Sequence, residues 1–160
     1  MTVKHVLAAT LLAAATAATA GPSGESHSHS HGNMAGGQPG KPDAVDRTIR
    51  IDAADIEFDR QKIEVEAGET IRFVITNTGQ LDHDFTLGTP AMQRAHQEEM
   101  REMMAEGGMQ GHDDPNAVML EPGQTKELIW RFAEADELEF ACNVPGHYEA
   151  GMRGEIVFDG

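Results

Sequence analysis

From Thr48 to the C-terminus, apolar residues recur at every second position in short runs, and this alternation limits the possible folds more than any other feature. Ile49 and Ile51 alternate with polar partners, Ile56 and Phe58 continue the habit, and Ile63 and Val65 follow. Ile71, Phe73 and Ile75 form another run, as do Phe85 with Leu87, and Val118 with Leu120. Leu128, Trp130 and Phe132 alternate, then Leu138, Phe140 and Cys142, and Ile156 with Phe158 closes the chain. A period of two puts each apolar set on one face of a strand. Ala67-Gly68-Glu69, Asn77-Thr78-Gly79 and Glu121-Pro122-Gly123-Gln124 supply turns between runs. Many short strands separated by turns predict an all-β sandwich or barrel over residues 46–160.

One segment breaks the alternation. Residues 90–107 carry helix formers without turn residues, with Thr89 placed to cap them, Pro90 at the first helical position and Gly107-Gly108 at the end. The pattern predicts a short helical insertion between two strands, spanning about 90–116 with its following loop.

The first 45 residues have a different composition. Lys4 precedes an apolar run from Val6 to Ala18, and Ala18-Thr19-Ala20 fits a cleavage site, so residues 1–20 read as a secretory signal peptide. The run is too short and too rich in Ala and Thr for a membrane span, so no membrane insertion is expected after cleavage. Residues 21–45 read as a disordered linker of Gly, Pro, Ser and His. Its alternating His27, His29 and His31 suit either weak metal binding or a merely solvated tail.

The formal net charge is −15, and the signal segment contributes one Lys and no acid, so the exported remainder is more negative still. That excludes nucleic acid as a partner, which requires clustered Lys and Arg. A single cysteine, Cys142, cannot form an internal disulfide, so in an oxidising compartment it must be paired between chains, reactive or occupied. His147 follows it by five residues and Met152 by ten, while His83 lies upstream in Leu81-Asp82-His83-Asp84-Phe85. Thiolate, two imidazoles and a weak axial thioether are the donors of a type 1 copper centre. One loop carries three of them, shaped by Pro145-Gly146 and Gly151.

The order His83…Cys142-x4-His147-x4-Met152 at the end of a β-domain resembles the cupredoxins, the family of plastocyanin, azurin, auracyanin and rusticyanin. The resemblance implies a Greek-key β-sandwich with one mononuclear copper that cycles between Cu(I) and Cu(II). Asp84 stands where many cupredoxins carry an Asn that ties the two ligand loops together, and Asp82 replaces the Gly that gives azurin-like sites a carbonyl ligand. Four ligands are therefore expected. The whole layout of signal, His-bearing tail and Met/His-rich insertion is similar to the CopI-type periplasmic cupredoxins of bacterial copper tolerance, which implies periplasmic copper binding and redox buffering. A small electron carrier between periplasmic redox partners is the alternative. An enzyme that oxidises Cu(I) would need an acceptor route, and the residues suggest none. Expected partners are copper ions and a periplasmic redox or copper-handling protein.

Within the insertion, Met92, His96, Met100 and Met103 or Met104 recur at helical spacing, and Met109 and His112 lie just beyond. Thioethers favour Cu(I), so additional Cu(I) could bind here. Methionine also fills irregular cores, so the stripe could equally pack on the sandwich.

Overall fold

A computed structural model describes residues 36–106 and 114–159. The expected signal peptide, His27, His29, His31, Met109 and His112 lie outside the described residues. In chain order the strands are β1 (Gly37–Pro39), β2 (Arg47–Ala54), β3 (Glu57–Phe58), β4 (Lys62–Val65) and β5 (Thr70–Asn77). They continue with β6 (His83–Gly88), the helix α1 (Pro90–Glu106), β7 (Ala117–Leu120), β8 (Thr125–Phe132), β9 (Leu138–Ala141) and β10 (Arg153–Phe158).

The strands form two five-stranded sheets, ordered β1-β8-β5-β2-β3 and β4-β10-β9-β6-β7. Successive strands change sheet after β3, β4, β5, β7 and β8, as a Greek-key sandwich requires. In the first sheet β5 runs parallel to β2 and antiparallel to β8, which aligns Ile49 with Phe73 and Phe73 with Leu128. In the second, Leu87 of β6 faces Phe140 of β9, and Gly154 of β10 faces Phe140 from the other side. The alternating residues Ile51, Ile71, Phe73, Ile75, Phe85, Trp130 and Phe140 are fully buried between the sheets. Phe85 lies between Phe58, Phe73 and Phe140 at ring centroid separations of 5.5–5.7 Å. This aromatic stack sits below the end of the sandwich from which His83 and Cys142 project.

Two features depart from the sequence expectation. The last part of the expected linker belongs to the sandwich, because Gly37, Gln38 and Pro39 pair antiparallel with Phe132, Arg131 and Trp130. Backbone alone makes this strand, so no apolar alternation marks it. A Cβ on Gly37 would collide with Arg131 O and Trp130 Nε1, and Pro39 is tolerated because β1 is an edge strand. The second departure is Ile56, which does not continue the alternation into the core. It occupies the Asp55-Ile56 turn at φ 67° and is exposed, a conformation rarely taken by a β-branched residue.

The helix α1 starts where expected. Thr89 Oγ1 accepts from Met92 N at 3.3 Å and Thr89 O accepts from Gln93 N at 3.0 Å. The helix packs beside β6 and β9, with Gln93 buried and donating from Nε2 to Thr86 O at 3.0 Å.

A Cβ on Gly154 would strike the Phe140 ring and approach Gln61 O to 2.9 Å. Gly154→Ala should therefore destabilise the copper-free protein by about 1–3 kcal/mol, measured by urea unfolding. A change under about 0.5 kcal/mol would contradict this packing.

Candidate metal centre

Local backbone bonds fold the segment from Cys142 to Met152 into a closed loop. Cys142 N donates to Met152 O at 3.0 Å, Met152 N to His147 O at 3.0 Å, and His147 N to Val144 O at 2.9 Å. Gly146 and Gly151 take φ values of 91° and 102°, which glycine adopts without strain. The loop thus returns Met152 beside Cys142 before β10 begins. His83 comes from the first position of β6, next to β9 in the same sheet.

His83, Cys142 and His147 are all buried, and one donor atom from each lies within 4.8 Å of the others. Both rings turn Nδ1 toward sulfur: Cys142 Sγ is 3.4 Å from His147 Nδ1 and 3.9 Å from His83 Nδ1. Met152 is fully buried in the same loop. A thiol and two imidazoles converging by the same ring nitrogen fit a type 1 copper centre.

The surroundings favour uncharged donors in the copper-free fold. Burial pushes the Cys142 thiol up to about 12, the charge of Asp84 adds to the rise, and the N–H groups of Asp84 and Val144 oppose it. Asp84 N reaches Cys142 Sγ at 3.3 Å. Burial lowers His83 first and the neighbouring His147 lowers it further, while Asp55 pulls the other way. Burial also lowers His147.

Asp55 ties β2 to the His83 loop. Its Oδ1 accepts from Gln80 N at 2.7 Å and Leu81 N at 3.1 Å, and those two bonds hold its carboxyl below the usual range. The same oxygen lies 3.7 Å from His83 Nε2, just beyond hydrogen-bond length. A Cβ on Gly79 would collide with Asp55 Oδ1, so the approach needs glycine there.

Asp84 connects the two ligand loops, the task expected of Asn at that position. Its Oδ2 accepts from Asn143 N and Nδ2, both at 3.2 Å, and both carboxylate oxygens accept from Thr86 Oγ1 at 2.9 Å. Asn143 Nδ2 also donates to Gln93 Oε1 at 2.8 Å, which brings α1 into the network. Arg101 adds a second tie between α1 and the loop, reaching Glu149 at 3.2 Å. Gln93, Asn143, Thr86 and Asp55 escaped the sequence reading because each acts through a neighbour and none belongs to a ligand motif.

The insertion residues are not all brought together. Met100 is fully buried, Met92 and Met103 are half-buried, and Met104 is exposed. His96 is buried with both ring nitrogens facing carboxylates: Nε2 is 3.5 Å from Asp84 Oδ2, and Nδ1 is 3.5 Å from Glu99 Oε2 and 3.7 Å from Asp114 Oδ2. Burial lowers its pKa, but the hydrogen bond and charge of Asp84, with Asp114 and Glu99, outweigh that and raise it overall.

A family model described as copper binding proteins, plastocyanin/azurin family, matches residues 45–159. The chain belongs to this cupredoxin family. It is 42% identical over 155 residues to the copper-resistant cuproprotein CopI of Pseudomonas aeruginosa, covering 81% of this chain and 85% of that protein. It is 44% identical over 138 residues to the protein of the same name from Rubrivivax gelatinosus, covering 84% and 81%. Among solved structures, auracyanin B matches with a TM-score of 0.64 at 20% identity, over 79% of this chain and 97% of that one. An azurin from Methylomonas sp. strain J matches with a TM-score of 0.55 at 16% identity, over 72% and 100%. These structural matches agree with the cupredoxin sandwich seen here.

Copper requires a thiolate and neutral imidazoles. The two rings, lowered from 6.5, are already neutral at neutral pH, whereas the thiol, raised from 9.0, is protonated. Metal uptake at neutral pH should therefore release about one proton per ion, from Cys142. Indicator-dye titration in weak buffer measures it, and release of none or of two would contradict these protonation states. Without metal the depressed imidazoles contribute stability above pH 6.5 that is lost as pH falls below it. The raised thiol contributes stability below pH 9.0 that is lost as pH climbs toward 12.

Proposed function

We propose that this chain is an exported, periplasmic type 1 copper protein of copper tolerance, with His83, Cys142, His147 and Met152 as ligands. The convergence of two Nδ1 atoms on the one cysteine sulfur carries the reading. The identity of 42–44% to copper-resistant cuproproteins supports the physiological role. Bound copper supplies a one-electron couple between Cu(I) and Cu(II). Cys142 gives the thiolate, and the N–H of Asp84 stabilises the negative sulfur. His83 and His147 would bind the ion as neutral rings, and the fully buried Met152 would offer a weak thioether donor. Asp55 holds the His83 loop in place from β2.

The protein would bind and redox-buffer excess copper, with the half-buried Met92 and Met103 offering soft donors to Cu(I). His27, His29, His31, Met109 and His112 would add capture sites, and a periplasmic copper-handling protein would receive or supply the ion. A small electron carrier is the second reading. The insertion speaks against it, since Gln93 and Arg101 tie the ligand loop to a Met/His-bearing helix that electron carriage alone does not require.

Cys142→Ser should abolish the intense thiolate-to-copper absorption of the copper-loaded protein. Retained colour would refute the ligand set. Deleting the protein should lower growth in excess copper and leave respiration intact, whereas a respiratory defect at ordinary copper would favour the carrier.

A further inference from the structure

His96, Glu99 and Asp114 lie outside the Cys142 centre, which His96 meets only through Asp84. His96 and Glu99 share one face of α1 at a spacing of three residues, and Asp114 stands just before β7, at the other end of the insertion. The three donor atoms lie within 4.8 Å of one another. His96 Nδ1 is 3.5 Å from Glu99 Oε2 and 3.7 Å from Asp114 Oδ2. Neighbouring ligands bonded at about 2.0 Å in a tetragonal shell stand about 2.8 Å apart, so seating a cation would draw the two exposed carboxylates about 1 Å closer to His96 Nδ1.

The opposite nitrogen is turned toward a different carboxylate. His96 Nε2 faces Asp84 Oδ2 at 3.5 Å, and Asp84 is itself fixed by Thr86 and Asn143. With an ion at Nδ1, the Asp84 carboxylate behind the imidazole would hold the proton on Nε2 and make Nδ1 a stronger donor. Three carboxylates around one buried ring also create an excess of negative charge that a divalent ion compensates better than a monovalent one.

We propose that His96, Glu99 and Asp114 form a second metal site that takes a divalent ion of borderline hardness, Cu(II) in preference to Zn(II). One nitrogen and two carboxylate oxygens suit Cu(II), whereas Cu(I) prefers sulfur. The order of affinities for such donors places Cu(II) above Zn(II). The insertion therefore separates two chemistries, thioethers on Met92 and Met103 and a nitrogen–oxygen site at His96. The ion would also clip the middle of α1 to the segment before β7. It would sit behind Asp84, whose N–H contacts the Cys142 sulfur.

The test uses the full exported chain with His27, His29 and His31 replaced by Ser, so that the tail cannot contribute. One equivalent of Cu(II) is loaded, a second is titrated, and spin resonance follows each ion. The expected result is a second signal with ordinary, large copper hyperfine splitting and no added thiolate absorption. Glu99→Gln with Asp114→Asn should weaken the second ion at least about tenfold and leave the first absorption unchanged. The two side chains are 60% and 44% exposed, so the double variant should fold, and the first absorption checks that it has. Saturation at one Cu(II), or a second affinity within twofold of the parent in the double variant, would overturn the proposal. The site does not depend on the Cys142 assignment. If the Cys142 colour failed to form, the second signal and its loss in the double variant would still be read.

Discussion

Asp84 is the joint on which the metal end of the molecule depends. It is fully buried, one residue after His83, and its carboxylate accepts two bonds from Asn143, one residue after Cys142. Its backbone N–H turns the other way and reaches the Cys142 sulfur. The two ligand loops come from positions far apart in the chain, yet they are held in register by one side chain. An Asn could accept the same two bonds. Asp adds a charge, and a buried charge requires a partner. His96 of α1 stands there, and Thr86 and Asn143 satisfy the remaining lone pairs. The acidic residue at this position and the helical insertion thus explain each other: the charge on one is compensated by the imidazole on the other.

The legible parts of the fold were those in which side chains carry the pattern. Ile49, Ile51, Phe73, Trp130 and Phe140 alternate in the sequence and are buried between the sheets. Thr89 and Pro90 mark the start of α1 through capping chemistry, and the helix begins there. Strand β1 was hidden because Gly37 and Pro39 contribute backbone alone. Ile56 misled because the alternation passes unchanged through a two-residue turn, and only the left-handed φ there reveals the bend. At the metal end, the motif residues are apparent because donor chemistry and loop spacing coincide. The network behind them is not, since Gln93, Asn143, Asp55 and Asp114 are ordinary polar residues until the fold brings them together.

The aromatic stack of Phe58, Phe73, Phe85 and Phe140 fixes the strand ends from which His83 and Cys142 project. Backbone bonds within the Cys142–Met152 loop fix the other donors before any metal arrives. A preformed, buried donor set needs little rearrangement between the two copper oxidation states. The two proposed uses of the insertion follow the same donor logic, thioethers for Cu(I) and the nitrogen–oxygen cluster for Cu(II).

X-ray absorption at the copper edge, on the protein loaded with one equivalent of copper, tests the central claim most directly. The account predicts one short sulfur neighbour and two imidazole nitrogens around the ion, with the sulfur lost in the serine variant of Cys142. A coordination shell of nitrogen and oxygen alone would contradict it.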